Sequence, residues 1–128
     1  MALNLGFLTI NNGRPQVLKI WCSQIIRLRK TFGTYFPAVV TSGEEDRAIC
    51  EHYNIMHYTQ ENKPVTRKWN KSLEYLRTIG MDYCMVLGSD DLISADLVQN
   101  TLVQMDKGMD VIGVNTLYFY AAQGVDRG

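Results

Sequence analysis

Two adjacent carboxylates, Asp90 and Asp91, follow the apolar run Tyr83-Cys84-Met85-Val86-Leu87 and the small residues Gly88 and Ser89. A hydrophobic strand that delivers acids at its carboxyl end is how open α/β sheets build ligand and metal sites. Two carboxylates about 5 Å apart repel by about 3 kcal/mol at an effective dielectric near 20. A divalent cation such as Mg²⁺ or Mn²⁺, or several backbone N–H donors, removes that penalty. Two readings stand at this point. Asp90 and Asp91 either hold a cation and the phosphates it bridges, or they form a surface turn in which one Asp caps the next helix. If the extended path continued, side-chain alternation would send the two acids to opposite faces.

A second polar constellation precedes them. Lys63, Arg67 and Lys71 recur every four residues and so line one face of a helix. Placed opposite the acidic turn, such a stripe neutralises a diphosphate; placed elsewhere, it is a solvated basic face. Asn70 follows Trp69, an expected core residue, and sits at the margin where an amide reaches either a ligand or water. Thr9, Asn11 and Asn12, and then Ser42, Gly43 and Glu44, are short polar groups at the ends of the first two strands. In a doubly wound sheet those turns line the ligand crevice, although turns are also polar for local reasons. His52 and His57 lie five residues apart, without the i,i+4 spacing of a helical metal pair, and read as structural. No Gly-x-Gly-x-x-Gly, Walker loop, Gly-x-Ser-x-Gly or Cys-x-x-Cys occurs in the chain.

The elements that must position these groups alternate strand and helix. Leu5 to Ile10 reads as a first strand. A helix begins near Pro15, keeps Val17, Ile20, Trp21, Ile25 and Leu28 at helical spacing, and stops at Gly33. Tyr35 to Thr41 reads as a second strand with Pro37 near its start. Ser42-Gly43-Glu44-Glu45-Asp46 opens a short helix to about Tyr53, its acids complementing the helix dipole. Ile55 to Tyr58 is a third strand. A helix from Pro64 turns Val65, Trp69, Leu73 and Leu76 inward and closes at Gly80. Tyr83 to Leu87 is the fourth strand. Ser94 is the expected N-cap of a helix through Met105, with Leu97 or Val98, Leu102 and Met105 facing in. Val111 to Tyr120 is a final strand. This alternation predicts a three-layer α/β/α domain with a mostly parallel sheet, one unit over residues 1–128.

Composition narrows the function. The 128 residues carry 13 basic and 13 acidic side chains, so no overall charge draws the chain to nucleic acid or an anionic membrane. No apolar run approaches the roughly 20 residues of a membrane helix, and the N-terminus lacks the charged region of a signal peptide. Cys22, Cys50 and Cys84 are odd in number and embedded in apolar patterns, which suits buried free thiols in a reducing compartment. A cytoplasmic location is the expectation.

Taken in order, these segments resemble the nucleotide-sugar-binding half of family 2-like glycosyltransferases with the GT-A fold, a Rossmann-like arrangement. Phe7-Leu8-Thr9-Ile10-Asn11-Asn12-Gly13-Arg14-Pro15 is similar to that family's first strand and Asn-Arg-Pro turn. Val39-Val40-Thr41-Ser42-Gly43-Glu44-Glu45-Asp46 resembles its second strand and acidic loop. Gln60-Glu61-Asn62 and Lys68-Trp69-Asn70-Lys71-Ser72-Leu73 look like its Glu-Asn segment and Arg-Asn helix, and Leu87-Gly88-Ser89-Asp90-Asp91 falls where the family has its Asp-x-Asp motif.

The resemblance implies a glycosyltransferase, or its donor-binding domain, that transfers a sugar from a nucleotide diphosphate to an acceptor hydroxyl. By it, Thr9, Asn11, Ser42, Glu44, Lys68, Asn70, Ser89 and Asp90 contact the nucleotide sugar, and Asp90 and Asp91 hold a divalent cation, Mn²⁺ or Mg²⁺. The acceptor would be a glycan, lipid or protein, and assembly into a homo-oligomer is open. The chain departs from the family in two places. Gly88 occupies the position of the motif's first acid, and the family continues into an acceptor-binding half that normally supplies the catalytic base, for which the sequence offers no candidate.

The alternatives are a nucleotidyltransferase-like enzyme and a non-catalytic nucleotide-sugar-binding or assembly domain. The first usually opens with a Gly-rich phosphate loop, whereas Asn11-Asn12-Gly13-Arg14-Pro15 has one glycine. A receiver-type signalling domain needs a Lys after its last strand, and Val111 to Tyr120 offers none.

Overall fold

A computed structural model of the protein describes residues 4–60 and 65–109. The expected final strand Val111 to Tyr120, the helix start at Pro64, and Lys63, Glu61 and Asn62 lie outside the described residues. Among those described, the chain runs β1 (Leu5–Ile10), α1 (Pro15–Phe32), β2 (Ala38–Ser42), a 3₁₀ turn at Glu44–Asp46, α2 (Arg47–His52), β3 (Met56–Thr59), α3 (Thr66–Thr78), β4 (Tyr83–Val86) and α4 (Ala95–Asp106).

The four strands form one parallel sheet in the order β3-β2-β1-β4. The chain steps outward from β1 to β3, then returns across the sheet to β4. Because βαβ crossovers are right-handed, that reversal puts α1 and α2 on one face and α3 on the other. Two separate apolar clusters match this layering. Phe7, Val40, Trp21, Cys22, Ile25, Leu28, Cys50, Val98 and Met105 pack in the larger one. Leu8, Val39 and Leu76 form the smaller one, beneath Trp69, Tyr75 and Met81. Alternate residues of β1 and β2 therefore feed opposite layers, as strand pleating requires. The architecture is α/β, with helices on both faces of a parallel sheet, compatible with a Rossmann-like fold.

Several boundaries follow the sequence pattern. β1 has the expected limits, Gly33 ends α1 in the left-handed region at φ 60°, and the Ser94 side chain accepts from Leu97 N at 3.1 Å as the cap of α4. Others differ. Pairing of β2 starts at Ala38, because Pro37 has no N–H and offers only its carbonyl, which accepts from Phe7 N at 2.9 Å. Tyr35 is left exposed under the Arg29 guanidinium, 4.1 Å from the ring centre. On α1, Ile20 is 57% exposed and Leu18 takes the buried position instead.

The buried face of α3 is the main correction. Lys68, Ser72 and Leu76 point inward with Trp69 half-buried, whereas Val65 and Leu73 are exposed. α3 also sits very close to the sheet: a Cβ on Gly6 would fall 2.8 Å from Leu76 Cδ2. The absent side chain at Gly6 is what lets α3 approach β1. On β4, Cys84 is exposed rather than buried, alternating outward with Val86.

Candidate functional site

The strand order makes the ends of β1 and β4 the place where the chain winds in opposite directions. In open α/β sheets, ligands bind in the crevice outside the carboxyl ends of such a pair. The turn after β1 carries Asn11 to Arg14, and the turn after β4 carries Gly88 to Asp91. A side chain bridges them: Arg14 donates from Nη2 to Ser89 Oγ at 2.9 Å, and its Nη1 lies 3.8 Å from Asp90 Oδ2. Arg14 and Asp90 are about half and two-thirds exposed, so this ion pair is loose and open to solvent. Ser89 is buried beneath them.

The acidic turn is closed locally. Asp91 N donates to Gly88 O at 3.0 Å, and Gly88 N donates to Asp91 Oδ2 at 2.8 Å. The extended path therefore does not continue, and one oxygen of Asp91 is committed to its own turn. A Cβ at Gly88 would lie 3.0 Å from Asp91 Oδ2 and 3.1 Å from Asp90 Oδ1, so the close approach of both carboxylates depends on glycine there. Gln24, a polar residue on the otherwise apolar buried face of α1, braces the loop from below. Its Nε2 donates to Asp91 O at 2.7 Å, and its Oε1 accepts from Ile93 N at 3.1 Å.

Beneath the β1 turn lies a buried polar group that the sequence pattern only half announces. Asn11 Nδ2 donates to Asp46 Oδ2 at 2.9 Å, and Lys68 Nζ donates to Asn11 O at 2.8 Å. All three residues are at most 2% exposed. Burial pushes the Lys68 ammonium below its ordinary value, and the charges of Asp46 and Glu45 act against that shift. Beside this group, Thr41 Oγ1 and Ser72 Oγ lie 2.7 Å apart, and Ser42 Oγ and His57 Nε2 lie 2.8 Å apart. Burial, then the nearby Arg47 charge, lowers the His57 pKa.

The residues expected at the site thus divide. Ser89, Asp90 and Asp91 share the β4 turn. Asn11 and Lys68 meet under the β1 turn, and Thr9 and Ser42 are fully buried within the strand ends. Asn70 is exposed on α3. Lys71 does not face the acidic turn: its Nζ donates to Thr59 O at 3.2 Å and stands 5.5 Å from the Tyr58 ring, toward β3. Arg14 and Asp46 are the residues that sequence reasoning passed over. Arg14 was visible within the Asn-Arg-Pro turn, and Asp46 as the third of three consecutive acids.

Glu44 is clamped at the surface. It accepts from Arg47 Nε at 2.7 Å, from Arg47 Nη2 at 3.1 Å, and from the Thr59 hydroxyl. Hydrogen bonds from Arg47 and Thr59 lower its pKa from 4.5 to about 2. The folded value lies below the unfolded one, so the clamp's contribution is complete above about 4.5 and disappears as pH falls toward 2. Carboxyl-detected NMR titration should place the Glu44 midpoint near 2, and Thr59→Ala should move it upward. An unshifted midpoint in the wild type would rule out the clamp.

Whether the acidic turn suits a divalent cation is a question of its donor set. Among the described residues, no three His, Cys, Asp or Glu groups come together. Asp90 and the second oxygen of Asp91 offer the one or two carboxylates with which Mg²⁺-like ions are bound when water and substrate phosphates complete the shell. The turn fits a cation carried in with a phosphate ligand better than a protein-only cage. Among the described residues, no helix is long and apolar enough to cross a membrane. Compared with models of known protein families and with curated proteins, the chain matches none.

Proposed function

We propose that the crevice between the β1 and β4 turns binds the diphosphate of a nucleotide sugar, and that the chain is the donor-binding part of a GT-A-like glycosyltransferase. The observation that carries this reading is Arg14, held across the switch point by Ser89 and Asp90. A guanidinium presents a planar fork suited to phosphate oxygens. Arg14 is also the N-terminal boundary residue of the 18-residue α1, whose first turn has no side-chain cap and begins with Pro15. Free N–H groups and the helix dipole favour an anion there.

In glycosyl transfer, the bond between the anomeric carbon and the diphosphate breaks as an acceptor hydroxyl attacks and loses its proton to a base. Negative charge grows on the departing diphosphate, and the Arg14 guanidinium is the chain's own group to receive it. Asp90 and Asp91 would hold a divalent cation, which supplies Lewis-acid stabilisation of the same leaving group when bound.

Calorimetry with UDP, GDP and CDP, each with and without Mn²⁺, tests the proposal. One nucleotide should bind in preference to the others. Arg14→Gln should weaken it by about tenfold to a hundredfold, the worth of one hydrogen bond to a charged group. Asp90→Ala should abolish the gain from Mn²⁺. Failure of all three nucleotides to bind would sink the reading.

A further inference from the structure

Lys68 was expected to touch the nucleotide, yet it is only 1% exposed. It reaches the site from the opposite side of the sheet. α3 packs on the face away from α1, and the Lys68 side chain passes to the carboxyl end of β1, where its ammonium meets the Asn11 carbonyl at 2.8 Å. Asn11 is the first residue after β1, and its side chain is held separately by Asp46. Asn11 Nδ2 also lies 3.4 Å from Arg14 O, so the same residue ties the two ends of the turn.

We infer that Lys68 is a positioning residue: by fixing the Asn11 carbonyl from beneath, it sets the β1 turn and so aims the Arg14 guanidinium at Ser89 and Asp90. A four-residue turn between a strand end and a helix start has few internal constraints. A buried charge-assisted hydrogen bond at its first residue therefore controls where its last residue points. This assignment rests on the diphosphate reading for its functional meaning, because Arg14 is the group that would meet the phosphates. It also separates Lys68 from its neighbour Ser72. Ser72 bonds the Thr41 hydroxyl on β2 and is equally buried, but among the described residues its own hydroxyl makes no hydrogen bond to the β1 turn. It reaches that turn only through the Thr41 carbonyl, which accepts from Asn11 N at 3.3 Å.

The test uses Lys68→Met, with Lys68→Gln if the methionine variant does not fold, and Ser72→Ala as the purely structural comparison. Two readouts are taken. The first is the heteronuclear NOE of the Arg14 Nε–Hε group, which needs no ligand. It should fall in the Lys68 variant and stay unchanged in Ser72→Ala. The second is affinity for the nucleotide diphosphate in both the wild-type and the Arg14→Gln background. Lys68→Met should weaken binding by about tenfold in the first background and less than about twofold in the second, the signature of coupled residues. An unchanged Arg14 signal, or an equal loss of affinity in both backgrounds, overturns the inference. If the wild-type protein binds no nucleotide, the diphosphate reading falls alone, and the Arg14 signal still decides the role of Lys68.

Discussion

Asp46→Ala should destabilise the protein by about 3 kcal/mol, lowering the urea midpoint by about 1.5 M. The carboxylate is fully buried and accepts from Asn11 Nδ2 at 2.9 Å. It also supplies the largest favourable charge effect on the buried Lys68 ammonium. Alanine removes both, leaving an amide poorly partnered and the Lys68 ammonium in a weaker compensating field. Those losses belong to the costly class of broken buried polar interactions. Asp46→Asn keeps the shape and an acceptor oxygen, so it should cost about half as much. If Asp46→Asn were as stable as the wild type, the charge of Asp46 would have no part in holding Lys68, and the β1 turn would rest on hydrogen-bond geometry alone. A domain of this size has roughly 5–15 kcal/mol of stability, so the alanine change takes a large fraction of it.

The second large effect lies in the core and is asymmetric. Trp21→Ala should cost about 3–5 kcal/mol, because a fully buried aromatic leaves a cavity that its neighbours fill only in part. Trp21→Phe should cost less than about 1.5 kcal/mol. Trp21 Nε1 is buried without a hydrogen-bond partner among the described residues. The desolvated indole N–H is therefore a standing penalty that phenylalanine relieves while losing some volume. Chemical denaturation of both variants checks the difference. A Phe variant as unstable as the Ala variant would mean that the indole N–H is satisfied in solution, for example by a buried water.

These two sites also show where sequence pattern is and is not informative. On α1, Trp21, Ile25 and Leu28 were identifiable as core because apolar residues at helical spacing have no better place to go. On α3 the same rule misled. Hydrophobicity alone turns Val65 and Leu73 inward, whereas the row Lys68, Ser72, Leu76 faces the sheet. Two polar side chains occupy that row because each meets a partner at the carboxyl ends of the strands: Lys68 the Asn11 carbonyl, and Ser72 the Thr41 hydroxyl. A buried polar group costs little once it is hydrogen-bonded. Its partners here lie 31 and 57 residues away in sequence, beyond the reach of any local pattern.

The acidic turn followed the same division. Its place after an apolar strand was plain from Tyr83 to Asp91. That Asp91 folds back onto Gly88 N, while Asp90 faces Arg14, depends on the turn geometry and on which strand lies beside β4.

The sequence alone determined the alternation of strand and helix, the buried positions Trp21, Ile25 and Leu28 of α1, the caps and stops at Ser94 and Gly33, and the acids at the end of β4. These are properties of short segments, fixed by periodicity and backbone preference. Only the tertiary structure decided the strand order β3-β2-β1-β4, and with it that Arg14 and Asp90 face one another. The physical reason is that the polar groups of the site are neighbours through the sheet and not through the chain. Arg14 and Ser89 stand 75 residues apart and meet only because β1 and β4 pair.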